Sequence, residues 1–288
     1  MFPDPEILGR AAASEAPVLI LGEPGTGRST LARELHRRSA RGAGPLVELD
    51  PATLPPTLFE SELFGYRAGA FTGAGGGSLG RVARAQNGTL LLDHLEDLPL
   101  AAQPKLLRLV AERVYAPLGG ADTGADLRFL AIAGEDLPER VRRGAFRQDL
   151  YFRLEVLSFR LPPLRERRGE LPELINALLS DLGERFGRPA LELSDRARVW
   201  MAEYAWPGNL RELRNVLERA LVLESRAILD PAPPPDSAGA APQLLAEVEA
   251  EAIRRALAHT RGRQGRAAEL LGISRKTLWE KRRRYGIP

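Results

Sequence analysis

The sequence predicts an α/β fold with a parallel sheet and a helical lid, followed by a small all-α helix-turn-helix module. Three observations predict it. A glycine loop, Gly22-Glu23-Pro24-Gly25-Thr26-Gly27-Arg28-Ser29, follows an apolar run and opens a stretch with helical spacing. Short apolar runs alternate with helical segments as far as residue 170, the pattern of a parallel sheet covered on both faces. Beyond residue 170 only helical periodicity appears, and the chain ends in a basic segment.

Val18-Leu19-Ile20-Leu21, bounded by Pro17 and Gly22, reads as a buried strand. A helix is expected over 29–39, with Leu31, Ala32 and Leu35 on its apolar face. Further strands are expected at 46–49, 89–92, 127–133 and 156–161, and helices at 102–111 and 139–144. Helices at 171–186, 194–204 and 210–223 form the lid, with Ser194 placed to cap the second. The run from Pro231 to Pro242 is Pro/Ala-rich, cannot bury a core and reads as a semi-extended linker. The expected domains are 1–170 (α/β), 171–228 (lid), 229–243 (linker) and 244–288 (helix-turn-helix).

With 288 residues, 44% hydrophobic and 27% charged, the chain has the composition of a globular protein of about two domains. No apolar run approaches the roughly 20 residues of a membrane span, and residues 1–6 lack the n- and h-regions of an export signal. Cysteine is absent, which excludes disulfides and thiolate chemistry and fits a cytoplasmic location. The net charge of +3 is unevenly placed: residues 252–288 hold 11 basic and 2 acidic side chains, against 30 and 36 in the remainder. A basic tail on a mildly acidic body points to nucleic acid as the tail's partner.

The glycine loop has the spacing of a phosphate loop with Arg28 where lysine is usual. Gly22, Glu23, Gly25, Thr26, Gly27, Arg28, Ser29 and Thr30 would wrap the phosphates with backbone N–H groups and a helix N-terminus. Ser29 would place its hydroxyl on Mg²⁺, and Asp93, ending the Leu90-Leu91-Leu92 strand, would hold the same ion. Arginine is a planar fork with a reach unlike lysine's, so the γ-phosphate can be aligned differently.

Between these two halves lies Gly69-Ala70-Phe71-Thr72-Gly73-Ala74, a glycine-flanked aromatic that core packing explains poorly. In order and wording the three segments resemble the AAA+ domain of bacterial enhancer-binding activators, which act on RNA polymerase carrying sigma-54. The resemblance runs over residues 6–228 and implies an AAA+ phosphate-loop NTPase that binds ATP with Mg²⁺. It implies that residues 69–74 tip a loop contacting sigma-54, with a second loop at 116–126 beside it. It implies arginine fingers at Arg147 and Arg153 reaching a neighbour's site, and Arg211 as the lid's phosphate contact.

Four positions depart from the family pattern: Arg28; Asp50, where an asparagine is usual; His94, where a glutamate orients the attacking water; and Gly134, where a sensor asparagine is usual. His94 is either a proton acceptor or a surface histidine opening a loop. Glu96 reaches the site only if the loop after Asp93 reshapes.

Residues 264–281 read as a helix-turn-helix. Ala267, Ala268 and Leu271 share a face, Gly272 turns, Ser274 caps, and Leu278 packs back. Arg275, Lys276, Thr277 and Glu280 are then free for the major groove, while Lys281, Arg282, Arg283 and Arg284 lie near phosphates. The segment resembles the Fis-type domain of the same activators, in which a preceding helix, here 247–259, supports dimerisation.

The expected function is a sigma-54-dependent transcriptional regulator that binds ATP and upstream DNA sites and assembles as a homo-oligomer, from dimer to a ring of six. With the first core strand expected almost at the start of the chain, no N-terminal regulatory domain is expected. The second reading keeps DNA binding but makes the AAA+ module a nucleotide-binding switch with poor hydrolysis, or a partner subunit in a mixed ring. Nucleotide turnover separates the two; DNA binding does not. A metabolic phosphate-loop enzyme would leave residues 69–74 and 264–284 unexplained.

Overall fold

The computed structural model describes residues 4–70, 76–188, 191–223 and 227–234, and in the C-terminal part residues 253, 257, 260, 264–270, 278, 279, 281 and 282. The chain forms two compact units, Met1–Ala232 and Pro233–Pro288.

In the first unit β1 (Val18–Gly22), β2 (Leu46–Leu49), β3 (Thr89–Leu92), β4 (Arg128–Ala133) and β5 (Leu157–Leu161) make one sheet in the order β2-β3-β4-β1-β5. Every pairing is parallel, in registers such as Leu19↔Ala131, Ile20↔Phe159 and Leu91↔Leu130. All residues of β3 and β4 are buried, as expected for central strands with helices on both faces. The predicted strands lie where the sequence puts them, with edges shifted by at most a residue or two.

The longer helices of this layer are α1 (Pro5–Ala13), α2 (Arg28–Arg37), α3 (Pro56–Phe64), α4 (Gln103–Glu112), α5 (Leu137–Arg142) and α6 (Gln148–Leu154), with a single turn at Arg81–Arg84. The sequence reading did not anticipate α1. Asp4 caps it by accepting from the Glu6 N–H at 2.8 Å, and Pro5 stands in its first turn. Its C-terminal carbonyls are satisfied from the sheet: Arg128, fully buried at the start of β4, donates to Ala11 O at 2.7 Å and Ala12 O at 3.0 Å. Leu8, Ala11 and Ala12 of this helix pack with Val18 and Ile20 of β1. α2 starts at Arg28 rather than Ser29, because Gly27 in left-handed backbone (φ +103°) ends the loop one residue earlier.

The lid is α7 (Leu171–Arg185), α8 (Asp195–Glu203) and α9 (Asn209–Leu223) around a core of its own that includes Ile175, Leu182, Met201, Trp206 and Leu217. Ser194 caps α8 as its position suggests, accepting from Ala197 N–H at 3.0 Å. In the second unit α10 (Gln264–Leu270) buries Ala267 and Ala268 against Leu278 and Ile253, with Leu257 packed on the cluster. Leu271, Gly272 and Ser274 lie outside the described residues, as does most of 247–259.

Candidate functional site

The loops after β1, β3 and β4 leave the same end of the sheet, the carboxyl ends of the strands, where open parallel sheets hold their ligands. The loop from Gly22 to Gly27 leads directly into α2. Its shape requires glycine at two places. Gly25 sits at φ +83°, and a Cβ there would stand 2.3 Å from the Gly208 carbonyl of the lid. Gly27 at φ +103° turns the chain into the helix.

The side chains of this loop divide their work. Thr26, buried, donates its hydroxyl to Glu23 O at 2.8 Å and holds the loop closed. Thr30 is exposed on the first turn of α2. Ser29 Oγ stands 3.4 Å from Asp93 Oδ2, so the two oxygen donors expected around one ion converge. Glu23 turns toward the lid instead of the cleft. Arg165 grips its carboxylate with two bonds of 2.8 and 2.6 Å, and Asn209 adds a third at 3.1 Å. Those hydrogen bonds, Arg165 first, hold the Glu23 carboxyl down to about 2.

Asn209 and Arg167 complete a clamp that the sequence reading missed. Asn209, buried and in left-handed backbone (φ +54°), donates to Pro24 O at 3.1 Å and accepts from Leu164 N–H at 2.7 Å. Arg167 donates to Thr26 O at 3.2 Å. Asn209 reads in sequence as turn punctuation; nothing in its spacing marks a contact to a loop nearly two hundred residues away. The clamp brings Arg211 to the loop as well: a Cβ on Gly25 would lie 3.2 Å from Arg211 Cβ.

The four departures fall into two adjoining groups. Asp50 and His94 face each other, with His94 Nδ1 3.0 Å from Asp50 Oδ2. His94 takes left-handed backbone (φ +48°), and its N–H donates to Asp93 Oδ1 at 2.9 Å. Asp50 Oδ1 also accepts from Ala52 N–H at 2.9 Å, so the acid is fixed at the end of β2. Arg28 and Gly134 form the second group. Arg28 is buried and donates to Ala133 O, the last residue of β4, at 2.6 Å. Burial lowers its pKa, while the nearby charges of Asp93 and Glu96 act to raise it. Gly134 N–H donates to Glu96 Oε1 at 3.0 Å, so Glu96 reaches the end of β4 directly from the turn Leu95–Asp97.

Arg147 and Arg153 bond within their own chain at the two ends of α6. Arg147 pairs with Asp149 at 3.0 and 2.7 Å, and Arg153 donates to Ala111 O at 3.1 Å. Both are exposed. Of the sigma-contact segment, Gly69 (φ +80°) and Ala70 are described, while Phe71, Thr72, Gly73 and Ala74 lie outside the described residues. The base of that loop is a two-residue antiparallel pair, Gly65–Tyr66 with Ser78–Leu79. A second pair, Val114–Tyr115 with Thr123–Gly124, closes the expected companion loop. The two are stitched together by Arg67 N–H to Leu118 O at 3.0 Å and Leu118 N–H to Gly65 O at 2.9 Å. Of the expected DNA contacts, Lys281 and Arg282 are described and half-buried; Arg275, Lys276, Thr277, Glu280, Arg283 and Arg284 lie outside the described residues. Among the described residues no helix is long and apolar enough to cross a membrane.

The donor set suits magnesium. Ser29 and Asp93 offer two hard oxygens, and among the described residues no cluster of three or more His, Cys, Asp or Glu could form a protein-only cage. That is the arrangement of an ion held by one carboxylate, a hydroxyl and its ligand's phosphates.

Residues 5–160 match the Sigma-54 interaction domain, 165–243 the AAA+ ATPase lid domain, and 244–285 the Fis family of bacterial regulatory proteins. The chain is 41% identical over 291 residues to the alginate biosynthesis transcriptional regulatory protein AlgB of Pseudomonas aeruginosa, covering 98% of this chain and 65% of that protein. It is 41% identical over 284 residues to the C4-dicarboxylate transport transcriptional regulatory protein DctD of Rhizobium meliloti, covering 98% and 62%. The chain thus spans a little under two thirds of the length of these relatives. A crystal structure of NtrX from Brucella abortus in complex with ATP superposes with a TM-score of 0.74 at 29% identity, covering 98% of this chain and 66% of that one. The chain belongs to the sigma-54 interaction domain family, with its α/β body, its AAA+ lid and a Fis-family segment in the order that the sequence predicts.

Proposed function

We propose that this chain is a sigma-54-dependent transcriptional regulator that binds ATP with Mg²⁺ between sheet and lid, binds upstream DNA through its C-terminal module, and contacts sigma-54 RNA polymerase through the loop carrying Phe71. The observation that carries the reading is the convergence of the Gly22–Ser29 loop, Asp93 and Arg211 at the carboxyl ends of the strands, with Ser29 Oγ 3.4 Å from Asp93 Oδ2. Ser29 and Asp93 would hold the ion, Gly25 and Gly27 the phosphates, and Arg211 would carry the lid's response to them. When bound there, the ion would neutralise phosphate charge, with Ser29 and Asp93 as its protein oxygens.

The joined bases of the 65–79 and 114–124 loops support the polymerase contact. The two pairs follow directly on α3 and α4, whose Phe59, Leu63, Leu106 and Leu109 share a core with Leu90 and Leu92 of β3, so a change in β3 can be felt at both bases. The exposed positions of Arg147 and Arg153 support assembly into a ring in which each reaches the next copy's cleft. The reading is tested by titrating ATP with and without Mg²⁺ and then capturing sigma-54. Binding should require Mg²⁺, and ATP should promote capture by the wild type but not by Phe71→Ala. Absence of ATP binding removes the nucleotide part; equal capture by both proteins removes the role of the loop.

A further inference from the structure

The four departures put two side chains in unusual places, and one of them solves a chemical problem. The expected carboxylate at position 94 is missing, and the histidine that stands there is held by Asp50 and by the left-handed backbone. Two residues on, Glu96 occupies the end of β4. Its Oε1 accepts from Gly134 N–H at 3.0 Å. Its Oε2 is shielded from solvent and has no hydrogen-bond partner among the described residues. The turn that carries it is fixed by Arg140, which donates to Glu96 O at 2.9 Å and to Asp97 Oδ1 at 3.3 Å. Gly134 makes the approach possible, because a Cβ there would stand 3.1 Å from Glu96 Oε1 and 2.6 Å from Asp136 Oδ1. Arg28 is buried nearby, and the Glu96 charge is one of those acting to raise its pKa against the effect of burial.

A buried carboxylate oxygen without a partner is costly, and it is retained where a ligand or water completes it. We infer that Glu96 is the carboxylate that orients the attacking water for ATP hydrolysis, replacing the one absent at position 94, and that Gly134 is glycine to admit it. The inference rests on the ATP reading above and adds turnover to it. A water oxygen hydrogen-bonded to Glu96 forms the new bond to the γ-phosphorus. The bond from that phosphorus to the β,γ-bridging oxygen breaks, and its electron pair stays on ADP. The proton released by the water passes by way of Glu96 to the inorganic phosphate. Arg28 acts as a positioning residue, holding Glu96 through charge and the end of β4 through its bond to Ala133 O.

The test compares the full chain with Glu96→Gln in three measurements: affinity for ATP with Mg²⁺, steady-state turnover, and affinity for ADP with aluminium fluoride, which mimics the transferring phosphoryl group and its water. Glu96→Gln should bind ATP as the wild type does, lose turnover by about 100-fold or more, and lose the extra affinity that aluminium fluoride gives to ADP. Turnover equal to wild type overturns the inference, as does a wild type that binds ATP and never hydrolyses it; in both cases the nucleotide reading stands. Loss of ATP binding in Glu96→Gln with the fold intact also overturns it, leaving Glu96 only as the counter-charge of Arg28. A wild type that does not bind ATP defeats the nucleotide reading itself. Should Glu96→Gln fail to fold, Gly134→Ala decides. Its Cβ would crowd Asp136 Oδ1 at 2.6 Å and Glu96 Oε1 at 3.1 Å, shifting the carboxylate without removing it, so turnover should fall while ATP binding remains, and unchanged turnover overturns the inference.

Discussion

At the scale of single residues, substitutions that look like losses one at a time are accommodated in pairs. Arg28 is longer than lysine, and its guanidinium passes to the end of β4 to bond Ala133 O at 2.6 Å, beside a position that has shed its side chain at Gly134. Replacing Arg28 with methionine keeps most of the volume and removes the charged donor. The Ala133 carbonyl and Glu96 then lose their cation, and stability should fall by about 2 kcal/mol in urea denaturation. Asp50 and His94 form the other pair, at 3.0 Å. None of this was legible in the sequence, which shows only that each of the four differs from a pattern. Residues 50 and 94 lie on different strands' ends, and their meeting depends on β2 and β3 being neighbours in register.

At the scale of elements, the glycine loop and the lid are held as one piece. Gly25→Ala would put a Cβ against the Gly208 carbonyl in a backbone region that L side chains avoid, so loop and lid must part. Nucleotide affinity should drop by about tenfold or more, read by titration. The Glu23–Arg165 pair makes the second prediction. Its carboxyl titrates lower in the folded chain, at about 2, than its ordinary value of 4.5. The stabilisation is therefore complete above pH 4.5, fades as pH falls toward 2 and is absent below. Because both side chains are partly exposed, Glu23→Gln should cost about 1 kcal/mol at neutral pH, and the difference from wild type should vanish in acid, measured by urea unfolding across that range. The strands and lid helices were legible because buried apolar runs and 3.6-residue spacing are local signals. Helix α1 was passed over although Asp4 and Pro5 mark its start locally; what no local signal shows is its end, where Arg128, from inside a strand, bonds Ala11 O and Ala12 O. The Asn209 clamp was missed for the same reason.

At the scale of the whole molecule, the charge is divided, +9 over residues 252–288 and −6 over the rest, and the proposed DNA contacts lie in the basic part. Binding of the C-terminal module to DNA should weaken linearly on a log–log plot against salt. Arg282→Ala should reduce that slope by about 1, if its guanidinium meets a phosphate as expected. The order of modules was legible from three motifs and a proline-rich linker; the bonds of Arg147 and Arg153 to Asp149 and Ala111 within the chain were not. Steady-state ATP hydrolysis measured against protein concentration, for the wild type and Arg153→Ala, tests the central claim most directly. A rate that rises faster than concentration, and that collapses in Arg153→Ala, is the predicted result for subunits completing one another's sites. A rate strictly proportional to concentration and indifferent to Arg153, or no turnover despite bound ATP, would contradict it.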